Sequence, residues 1–456
     1  QSARKRADQF VDLHLEIDRS AGAVAAQVAS GLREAIRRGR LAAGTRLPAS
    51  RQLAADLGVS RGVVVEAYEQ LTAEGFLSAQ VGSGTIVAAD ASAARAEEGM
   101  PGGGALADYE LRPGTPDLKL FPRTQWLSRY RQTMLTLAHD QLRYPDPAGA
   151  LAARQELAGY LNRVRAAQAS PENLVVTGGV AMAQSLLMRA LAKRGRAVVA
   201  VEDPSGVEYR MLLESAGATV VPVPVDEHGL IAAALPAGAT AVILTPAHQY
   251  PLGYVLSPQR RHELLAWSER TGGIVIEDDY DAEFRFDRES VGSMRALVPE
   301  RVVLTGSVSK SLSPAVRLGW LVAPPWLARA VREERRMLDL GSPVIEQHVL
   351  ARFIADGGYD RHLRRVRRIY RRRRDAMVQA LPPSLKPLGI SAGLHLCVPV
   401  ESDVELAERA WDSGVGVLAV TPMRVEPGPG GLVLCFAREP EARLVEAVRL
   451  LRRLLG

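Results

Sequence analysis

One lysine stands out as a candidate reactive amine. Lysine occurs five times in the 456-residue chain and arginine 52 times, so a lysine in an apolar, hydroxyl-rich segment indicates a task that a guanidinium does not perform. Lys310 lies in LTGSVSKSLSPAVRLGW, directly after a β-rich run. A neutral amine can add to a carbonyl carbon. The residue type and its setting therefore predict a Schiff base between Lys310 and an aldehyde.

Clustered acids in a second apolar run point to the same chemistry. The segment IEDDYDAEF ends a predicted buried strand, where carboxylates are costly unless they meet a cation. A protonated pyridine nitrogen is such a cation, and pyridoxal 5'-phosphate carries both this ring and an aldehyde. The acids and the lysine together predict this cofactor. Cys397 and Cys435 have no metal-ligand spacing, so we expect core cysteines and no metal site.

A glycine pair predicts where a phosphate would bind. In VVTGGVAMAQSLL a strand is followed by Gly178 and Gly179, and a helix begins at Val180. The first amides of a helix and its positive dipole end attract anions. An ordinary strand-to-helix turn has the same pattern, so this motif alone leaves both interpretations open.

The elements that would position these residues follow from hydrophobic patterning. Beyond residue 108, helix-length segments alternate with the runs LVVTGG, AVVAVED, AVILTP, GIVIEDD and RVVLTG, which is typical of a parallel sheet with crossover helices. The segment AADASAARAEEGMPGGGALAD reads as a flexible linker. We expect a domain over 10–88, a linker over 89–108, a large domain over 109–342 and a smaller α+β lobe over 343–456.

The early domain reads as helix, turn, helix and wing. Helices are predicted at 24–38, at 51–57 after an N-cap at Ser50, and at 61–74 after an N-cap at Ser60. FLSAQVGSGTIV predicts two short strands joined at a Gly-Ser-Gly tip. Seven arginines lie between residues 31 and 61 against two acids, so the domain is locally basic and a phosphate-facing surface is plausible.

This stretch resembles the DNA-binding domain of the GntR family, most closely in GRLAAGTRLPASRQLAADLGVSR, AYEQLTAEGFL and GSGTIV. The resemblance implies that double-stranded operator DNA is the partner. Arg61 opens the recognition helix and would read a guanine edge, and Gly62 replaces a polar residue common in the family. The implied contact residues are Arg46, Ser50, Arg51, Ser60, Arg61, Gly62, Ser83 and Gly84. A winged-helix protein-interaction module is the alternative.

The remainder of the chain resembles fold-type-I aminotransferases, and the whole chain resembles the MocR subfamily of GntR regulators. The implied fold class is α/β: an N-terminal winged helix-turn-helix joined by a linker to an aminotransferase-like, pyridoxal-phosphate-binding domain with a smaller C-terminal α+β lobe. By this resemblance Lys310 forms the Schiff base, Asp278 pairs with the pyridine nitrogen and Tyr280 hydrogen-bonds the 3-hydroxyl.

Further contacts are implied by the same resemblance. Ser307 and Arg317 resemble the family's phosphate-binding pair, and Tyr144 in YPDPAG resembles a tyrosine that reaches the phosphate from a second subunit. His248 in TPAHQYPLG would lie near the 3-hydroxyl or be a buried structural histidine. We therefore expect a homodimer, with domains exchanged head to tail as in related proteins.

Two departures from the family pattern bear on function. Val433 in GGLVLCFA takes the place of the arginine that grips a substrate carboxylate, leaving Arg424 or Arg438 as substitutes. EDPSGVEY aligns Gly206 with the tyrosine that covers the ring in related chains, so Tyr209 is the candidate for that contact. These departures favour a domain that senses the cofactor over one that turns over amino acids.

Composition and charge limit the classes of protein that remain possible. The 47% hydrophobic and 24% charged fractions are typical of packed domains and exclude a mainly disordered chain. Glycine and proline interrupt the longest uncharged stretch, so no membrane span is expected, and the N-terminus is unlike a secretory signal. We expect a cytoplasmic protein. The nine arginines in residues 361–374 form either a solvated or domain-bridging face or a nucleic-acid stripe.

The sequence thus predicts a transcription regulator that binds operator DNA and senses pyridoxal phosphate or its amine adduct, with vitamin B6 metabolism or amino-compound metabolism as the alternative targets. Weak or absent transaminase activity is expected. Two alternatives remain open at this point: an aminotransferase with an appended DNA-binding domain, and a DNA-binding repressor whose large domain holds no cofactor.

Overall fold

The computed structural model describes residues 22–37, 41, 44–80, 84–88, 107–195, 197–281, 283–287 and 292–454. The chain forms two compact units, Gln1–Ala105 and Leu106–Gly456. Most of the predicted linker over 89–108 lies outside the described residues. No described helix is both long and apolar enough to cross a membrane.

The first unit contains three helices and a two-stranded wing. Its elements are α1 (Val24–Arg37), α2 (Ser50–Leu57), α3 (Arg61–Ala73), β1 (Leu77–Gln80) and β2 (Gly84–Val87). The strands pair antiparallel, with Leu77 opposite Val87. The apolar positions of α3 are buried as their helical spacing predicts, and they pack against α1 and α2; they are Val64, Ala67, Tyr68 and Leu71. The helix-turn-helix arrangement is confirmed.

The turn between α2 and α3 follows from three residues. Gly58 adopts the left-handed conformation, with φ of 61°, which a glycine reaches without steric cost. The Ser60 hydroxyl accepts a hydrogen bond from the Val63 amide at 3.5 Å and so caps α3. The N-cap prediction for Ser50 was wrong: Ala49 occupies the N-cap position without a side-chain bond, and Ser50 is the first helical residue.

The second unit is built on an eight-stranded sheet with helices in the crossovers. The sheet order is β4-β11-β10-β9-β8-β5-β6-β7. Its strands are β4 (Leu174–Thr177), β5 (Val198–Asp203), β6 (Thr219–Asp226), β7 (Gly229–Leu230), β8 (Ala241–Leu244), β9 (Ile274–Asp279), β10 (Val302–Ser307) and β11 (Gly319–Val322). The helices of this part are α4 (Arg123–Thr136), α5 (Leu151–Arg165), α6 (Val180–Ala192), α7 (Val207–Ser215), α8 (Pro258–Thr271) and α9 (Pro325–Asp339).

The five predicted strands of this sheet are present, but the sheet is mixed rather than fully parallel. β6, β5, β8, β9 and β10 run parallel, whereas β11 pairs antiparallel with both β10 and β4. No α-helix lies between β10 and β11, so the chain returns in the opposite direction. The strands β6, β7 and β11 are not among the predicted runs; β11 (GWLV) is four residues long and follows β10 without an intervening α-helix.

The C-terminal part adds a small three-stranded sheet of order β12-β15-β14 and four helices. Its elements are α10 (Ile345–Ala355), α11 (Gly358–Ala380), β12 (His395–Pro399), α12 (Asp403–Asp412), β13 (Val415–Gly416), β14 (Leu418–Ala419), β15 (Gly431–Cys435) and α13 (Glu441–Leu454). β13 pairs with β3 (Tyr109–Glu110), which ties the start of the second unit to this lobe. Cys397 and Cys435 are buried and unbonded, as predicted.

Several arginines of α11 hold the unit together. Arg373 is buried and binds both the Asp117 carboxylate at 2.8 Å and the Ala437 carbonyl. Arg367 donates to the Glu283 carbonyl at 2.7 Å, and Arg371 donates to the Phe286 carbonyl. Arg372, one residue before Arg373, forms an exposed pair with Glu441. The arginine run therefore bridges segments of the unit through its inner members.

The contrast between neighbouring arginines yields a prediction. Arg373→Met would leave the Asp117 carboxylate buried without its cation, so we expect the free energy of unfolding of this unit to fall by about 3–5 kcal/mol. Arg372→Met removes an exposed pair and should cost less than about 1 kcal/mol. Scanning calorimetry of the two variants measures the difference. Equal losses would contradict this account of the helix.

Candidate functional site

A cavity of about 280 Å³ lies at the carboxyl ends of the central parallel strands. This edge of an open α/β sheet is where ligands bind, since strand ends and their following loops converge there. The cavity brings together residues that follow β5, β8, β9 and β10. It is lined by Pro113, Gly114, Val201, Glu202, Ser205, Gly206, Tyr209, Ile243, Leu244, Thr245, Tyr250, Asp278, Tyr280, Lys310, Leu394 and His395.

Lys310 presents its amine to this cavity. Its Nζ donates a hydrogen bond to the backbone carbonyl of Gly114, which belongs to the loop after β3. Burial lowers the pKa of Lys310, because desolvation disfavours the ammonium form, although Asp281 and Asp278 partly oppose this effect. A larger fraction of the neutral amine is therefore present near neutral pH, which is the form that attacks a carbonyl.

Asp278 carries a buried oxygen without a partner. Gln184 donates from Nε2 to Asp278 Oδ2 at 3.2 Å, while Oδ1 makes no hydrogen bond within the described part of the chain. Burial raises the pKa of Asp278 to about 7, and the nearby carboxyls of Asp279 and Asp281 add to the shift. The cavity thus contains a carboxylate oxygen, Oδ1 of Asp278, that is bonded to neither a hydrogen-bond donor nor a cation among the described residues.

Two tyrosines complete the group of predicted residues in the cavity. The Tyr280 hydroxyl donates to the His248 carbonyl at 3.0 Å and also lies 3.1 Å from His248 Nδ1. His248 Nδ1 in turn lies 3.0 Å from Asp281 Oδ2, so His248 lies behind Tyr280 and does not line the cavity. The Tyr209 hydroxyl is buried and makes no hydrogen bond with a described residue.

The predicted phosphate residues meet at the start of α6. Gly179 has φ of 121°, a backbone conformation that favours glycine, and a Cβ built on it would be in ordinary van der Waals contact, at 3.5 Å, with the Arg317 guanidinium. Val180 begins the helix. Arg317 is exposed and forms no ion pair with any described acid. Gly178 and Arg317 also line a second cavity of about 730 Å³.

Like His248, Gly179 and Val180, the predicted residues Ser307 and Tyr144 line neither cavity. Ser307 ends β10, is buried, and accepts a hydrogen bond from the Ser309 amide at 3.3 Å. Tyr144 is 86% exposed and contacts neither cavity within its own chain.

The cavity also contains residues that sequence reasoning missed. Glu202 ends β5 with its neighbour Asp203, and its carboxylate accepts from the Thr245 amide and hydroxyl at 3.0 and 2.6 Å. Burial raises the pKa of Glu202 to about 7. Tyr250 and His395 form part of the wall, with ring centroids 5.3 Å apart. The sequence signal that could have identified Glu202 is the acidic residue of the EDP motif at the end of a predicted strand.

In the first unit, the predicted DNA-facing residues form two groups. Arg61 and Ser50 lie together, with Arg61 Nε 3.5 Å from the Ser50 hydroxyl, and Arg51, Ser60 and Gly62 are exposed beside them. The Arg46 guanidinium covers Gly84 at the wing. Ser83 lies outside the described residues. A basic, exposed surface therefore surrounds the start of α3.

Comparisons with known proteins agree with both units. Residues 24–87 match the family described as bacterial regulatory proteins, gntR family, and residues 116–451 match aminotransferase class I and II. The chain is 35% identical to the HTH-type pyridoxine biosynthesis transcriptional regulator PdxR of Corynebacterium glutamicum, over 92% of this chain and 93% of the relative. It is 33% identical to the probable rhizopine catabolism regulatory protein MocR of Rhizobium meliloti, over 77% and 76%.

The chain belongs to the MocR subfamily of GntR-family transcription regulators. Its second unit also has the fold of solved aminotransferases. An archaeal alanine:glyoxylate aminotransferase superposes with a TM-score of 0.70 at 24% identity, covering 77% of this chain and 91% of that chain. This likeness concerns the fold alone.

The residues of this MocR-type regulator fit pyridoxal phosphate, the cofactor of the aminotransferase class I and II fold. The unpartnered Asp278 oxygen suits a protonated ring nitrogen, and the Lys310 amine suits an aldehyde. The exposed Arg317 beside the start of α6 suits a phosphate. Each part of the cofactor thus has a chemically matched group.

The buried acid makes stability depend on pH in the cofactor-free protein. The pKa of Asp278 is higher in the folded state, about 7, than in the unfolded chain, so the folded state holds a proton that the unfolded state has released. The contribution of Asp278 to the free energy of unfolding is therefore present at low pH and is lost as the pH rises toward 7. We expect Asp278→Asn to raise the free energy of unfolding at pH 8 by about 2 kcal/mol, with little gain at pH 5.

Urea unfolding of the stripped protein at both pH values tests this prediction. Asp412→Asn, which neutralises an exposed carboxyl of the C-terminal part, is the matched control and should leave stability unchanged. An Asp278→Asn variant that is less stable than the parent at pH 8 would contradict the assigned burial cost.

Proposed function

We propose that this regulator binds operator DNA through its first unit and pyridoxal phosphate at Lys310, and that cofactor occupancy changes operator affinity. The observation that carries the proposal is a desolvated amine and an unpartnered buried carboxylate oxygen in one cavity, on a chain that also contains a GntR-type helix-turn-helix. The coupling requires that the cofactor bind one arrangement of the chain more tightly than another.

The chain's own residues would divide the work of binding. Lys310 provides the amine, Asp278 holds a proton on the ring nitrogen, and Tyr280 donates to or accepts from the ring's hydroxyl substituent. Arg317 and the amides at the start of α6 neutralise the phosphate, with Ser307 nearby in sequence. When bound, the cofactor supplies an electrophilic carbonyl carbon. Tyr209 and Leu394 line the same cavity, and Tyr209 is assigned to the contact with the face of the ring.

Vitamin B6 metabolism is the proposed regulatory target. The relative with 35% identity over nearly the whole chain is named as a regulator of pyridoxine biosynthesis. The apolar residue Val433 in place of a carboxylate-binding arginine supports the same assignment, because the cofactor itself then serves as the effector. A DNA-binding regulator of this kind acts in the cytoplasm.

The regulator is proposed to act as a homodimer. Several large apolar side chains of the second unit are more than half exposed, which supports an interface in this unit. They lie on α4, before α5 and at the end of α9, and include Leu127, Leu135, Tyr144, Met337 and Leu340. Two DNA-binding units in one assembly engage paired half-sites with a gain in effective concentration. The exposed Tyr144 suits a contact with a second subunit's phosphate site, in a head-to-tail arrangement.

Borohydride reduction tests the cofactor site. We expect the protein to retain one covalently attached pyridoxyl group after reduction, mapped to the peptide that contains Lys310, and Lys310→Ala to lose it. Lys386→Ala, which removes an exposed lysine, should retain the label. Labelling of Lys310→Ala at the parental level would reject the assignment.

Arg61 tests the DNA surface. On a fragment that the parent protein selects from a random duplex library, Arg61→Ala should weaken binding by about 1–3 kcal/mol and relax specificity at one base pair. Arg33→Gln is the control, because the Arg33 guanidinium is already bound by Glu74 at 2.8 Å. Fluorescence anisotropy measures both variants. Unchanged affinity and specificity in Arg61→Ala would place recognition elsewhere.

The coupling and the competing enzyme function are tested together. Operator affinity should differ between the cofactor-loaded and stripped protein, whereas steady-state transamination with a panel of amino acids should be weak or absent. Equal operator affinities combined with robust turnover would favour an aminotransferase with an appended DNA-binding domain.

A further inference from the structure

The charges around the Lys310 cavity are unusual for a site that would receive an amino acid. Among the described residues that line it, Lys310 is the one lysine, and no arginine is present. Two carboxyls, those of Glu202 and Asp278, face the same space. The cavity wall therefore has more hydrogen-bond acceptors than lysine and arginine side chains. The one such side chain among the described lining residues is that of Lys310, whose amine is assigned to the cofactor.

The wall contributed by the C-terminal lobe does not supply a carboxylate partner either. Leu394 and His395 are its two lining residues. His395 Nε2 lies 3.2 Å from the Pro251 carbonyl, which can only accept, so this nitrogen carries the hydrogen. Burial, with the neighbouring His248, holds the pKa of His395 well below its usual value. The ring stays neutral and leaves its other nitrogen as an acceptor.

The position that sequence comparison assigned to a carboxylate clamp is apolar and closed. Val433 is fully buried in a cluster with Leu252, Cys397 and Val420. The two arginines considered as substitutes do not line the cavity: Arg424 donates from Nε to the Pro429 carbonyl at 3.0 Å, and Arg438 is likewise absent from the wall.

We propose that this cavity admits primary amines that lack a carboxylate and excludes α- and ω-amino acids, so that any effector acting through the bound cofactor is a carboxylate-free amine. This inference rests on the proposed function, because it takes pyridoxal phosphate at Lys310 as given. A carboxylate entering the cavity would lose its hydration, meet no arginine and approach Glu202. An alkyl or cationic amine meets an apolar wall and acceptors instead.

The exchange is chemically balanced. The incoming amine nitrogen forms a bond to the carbon that holds the Lys310 nitrogen, and the bond from that carbon to Lys310 breaks. The incoming ammonium gives up its protons, and the released lysine amine takes up the same number. No oxidant, reductant or further reactant is needed.

Matched amine pairs test the inference on the full-length, cofactor-loaded protein at pH 8. Ethylamine and L-alanine form one pair, and propylamine and 4-aminobutyrate form the other; within each pair a hydrogen replaces the carboxylate. The shift in the visible absorbance of the bound cofactor measures exchange, and the same pairs mixed with free pyridoxal phosphate correct for their intrinsic reactivity. After this correction, we expect the carboxylate-free member to reach half-exchange at a concentration at least about tenfold lower.

Glu202→Gln tests the residue responsible. This change retains an acceptor for the Thr245 amide but removes the negative charge, so the preference within each pair should narrow to about threefold or less. Glu214→Gln, which neutralises an exposed glutamate on α7, should retain the full preference. The thermal midpoint of each loaded variant checks its folding, and the parent protein alone decides the main question if Glu202→Gln is unstable.

Two outcomes would overturn the inference. Amino acids that exchange as readily as their carboxylate-free partners would show a carboxylate partner that the cavity lacks, and failure of every amine to exchange would show that the site receives no external amine. Either result leaves the proposed function intact if borohydride still labels Lys310. Loss of that label would reject the proposed function itself.

Discussion

The arrangement of the large unit depends on one electrostatic constraint, a carboxylate that is buried without a sufficient partner. Asp278 Oδ1 has no hydrogen-bond donor within the described chain, and burial raises the pKa of this group to about 7. Such a group is costly in an empty cavity and favourable when a cation reaches it. Under the proposed function, this local instability would be relieved when the cofactor binds, which is a common property of binding sites.

Sheet topology determines which residues share this environment. Parallel strands β5, β8, β9 and β10 end at the same edge, so Glu202, Thr245, Asp278 and Lys310 meet although more than one hundred residues separate the first from the last. Arg317 lies two residues before the antiparallel β11, whose first residue pairs with the end of β4, and it therefore approaches Gly179 at the start of α6. The Lys310 cavity and the contact between Arg317 and Gly179 thus both lie along one continuous sheet.

Arginine has different uses in the two units. In the first unit, Arg61, Arg51 and Arg46 are exposed around the start of α3 and the wing, where they suit a polyanion. In the second unit, Arg373 and Arg367 donate to buried carboxylate or carbonyl acceptors and act as structural links. The scarcity of arginine at the Lys310 cavity is therefore a property of that cavity, because the rest of the unit is rich in this residue.

The sequence by itself determined the helix-turn-helix, five strands of the large sheet and the candidate reactive residues. Helical spacing, caps and β-rich runs are local signals, and Lys310 and Asp278 stand out by residue type. Only the tertiary structure decided that Glu202, Tyr250 and His395 line the cavity, that His248 lies behind Tyr280, and that β11 runs antiparallel. The tertiary structure also decided that Val433 is packed in an apolar cluster. These features depend on contacts between residues that are far apart in the chain. Local sequence patterns do not contain the burial and the charge environment that such contacts create.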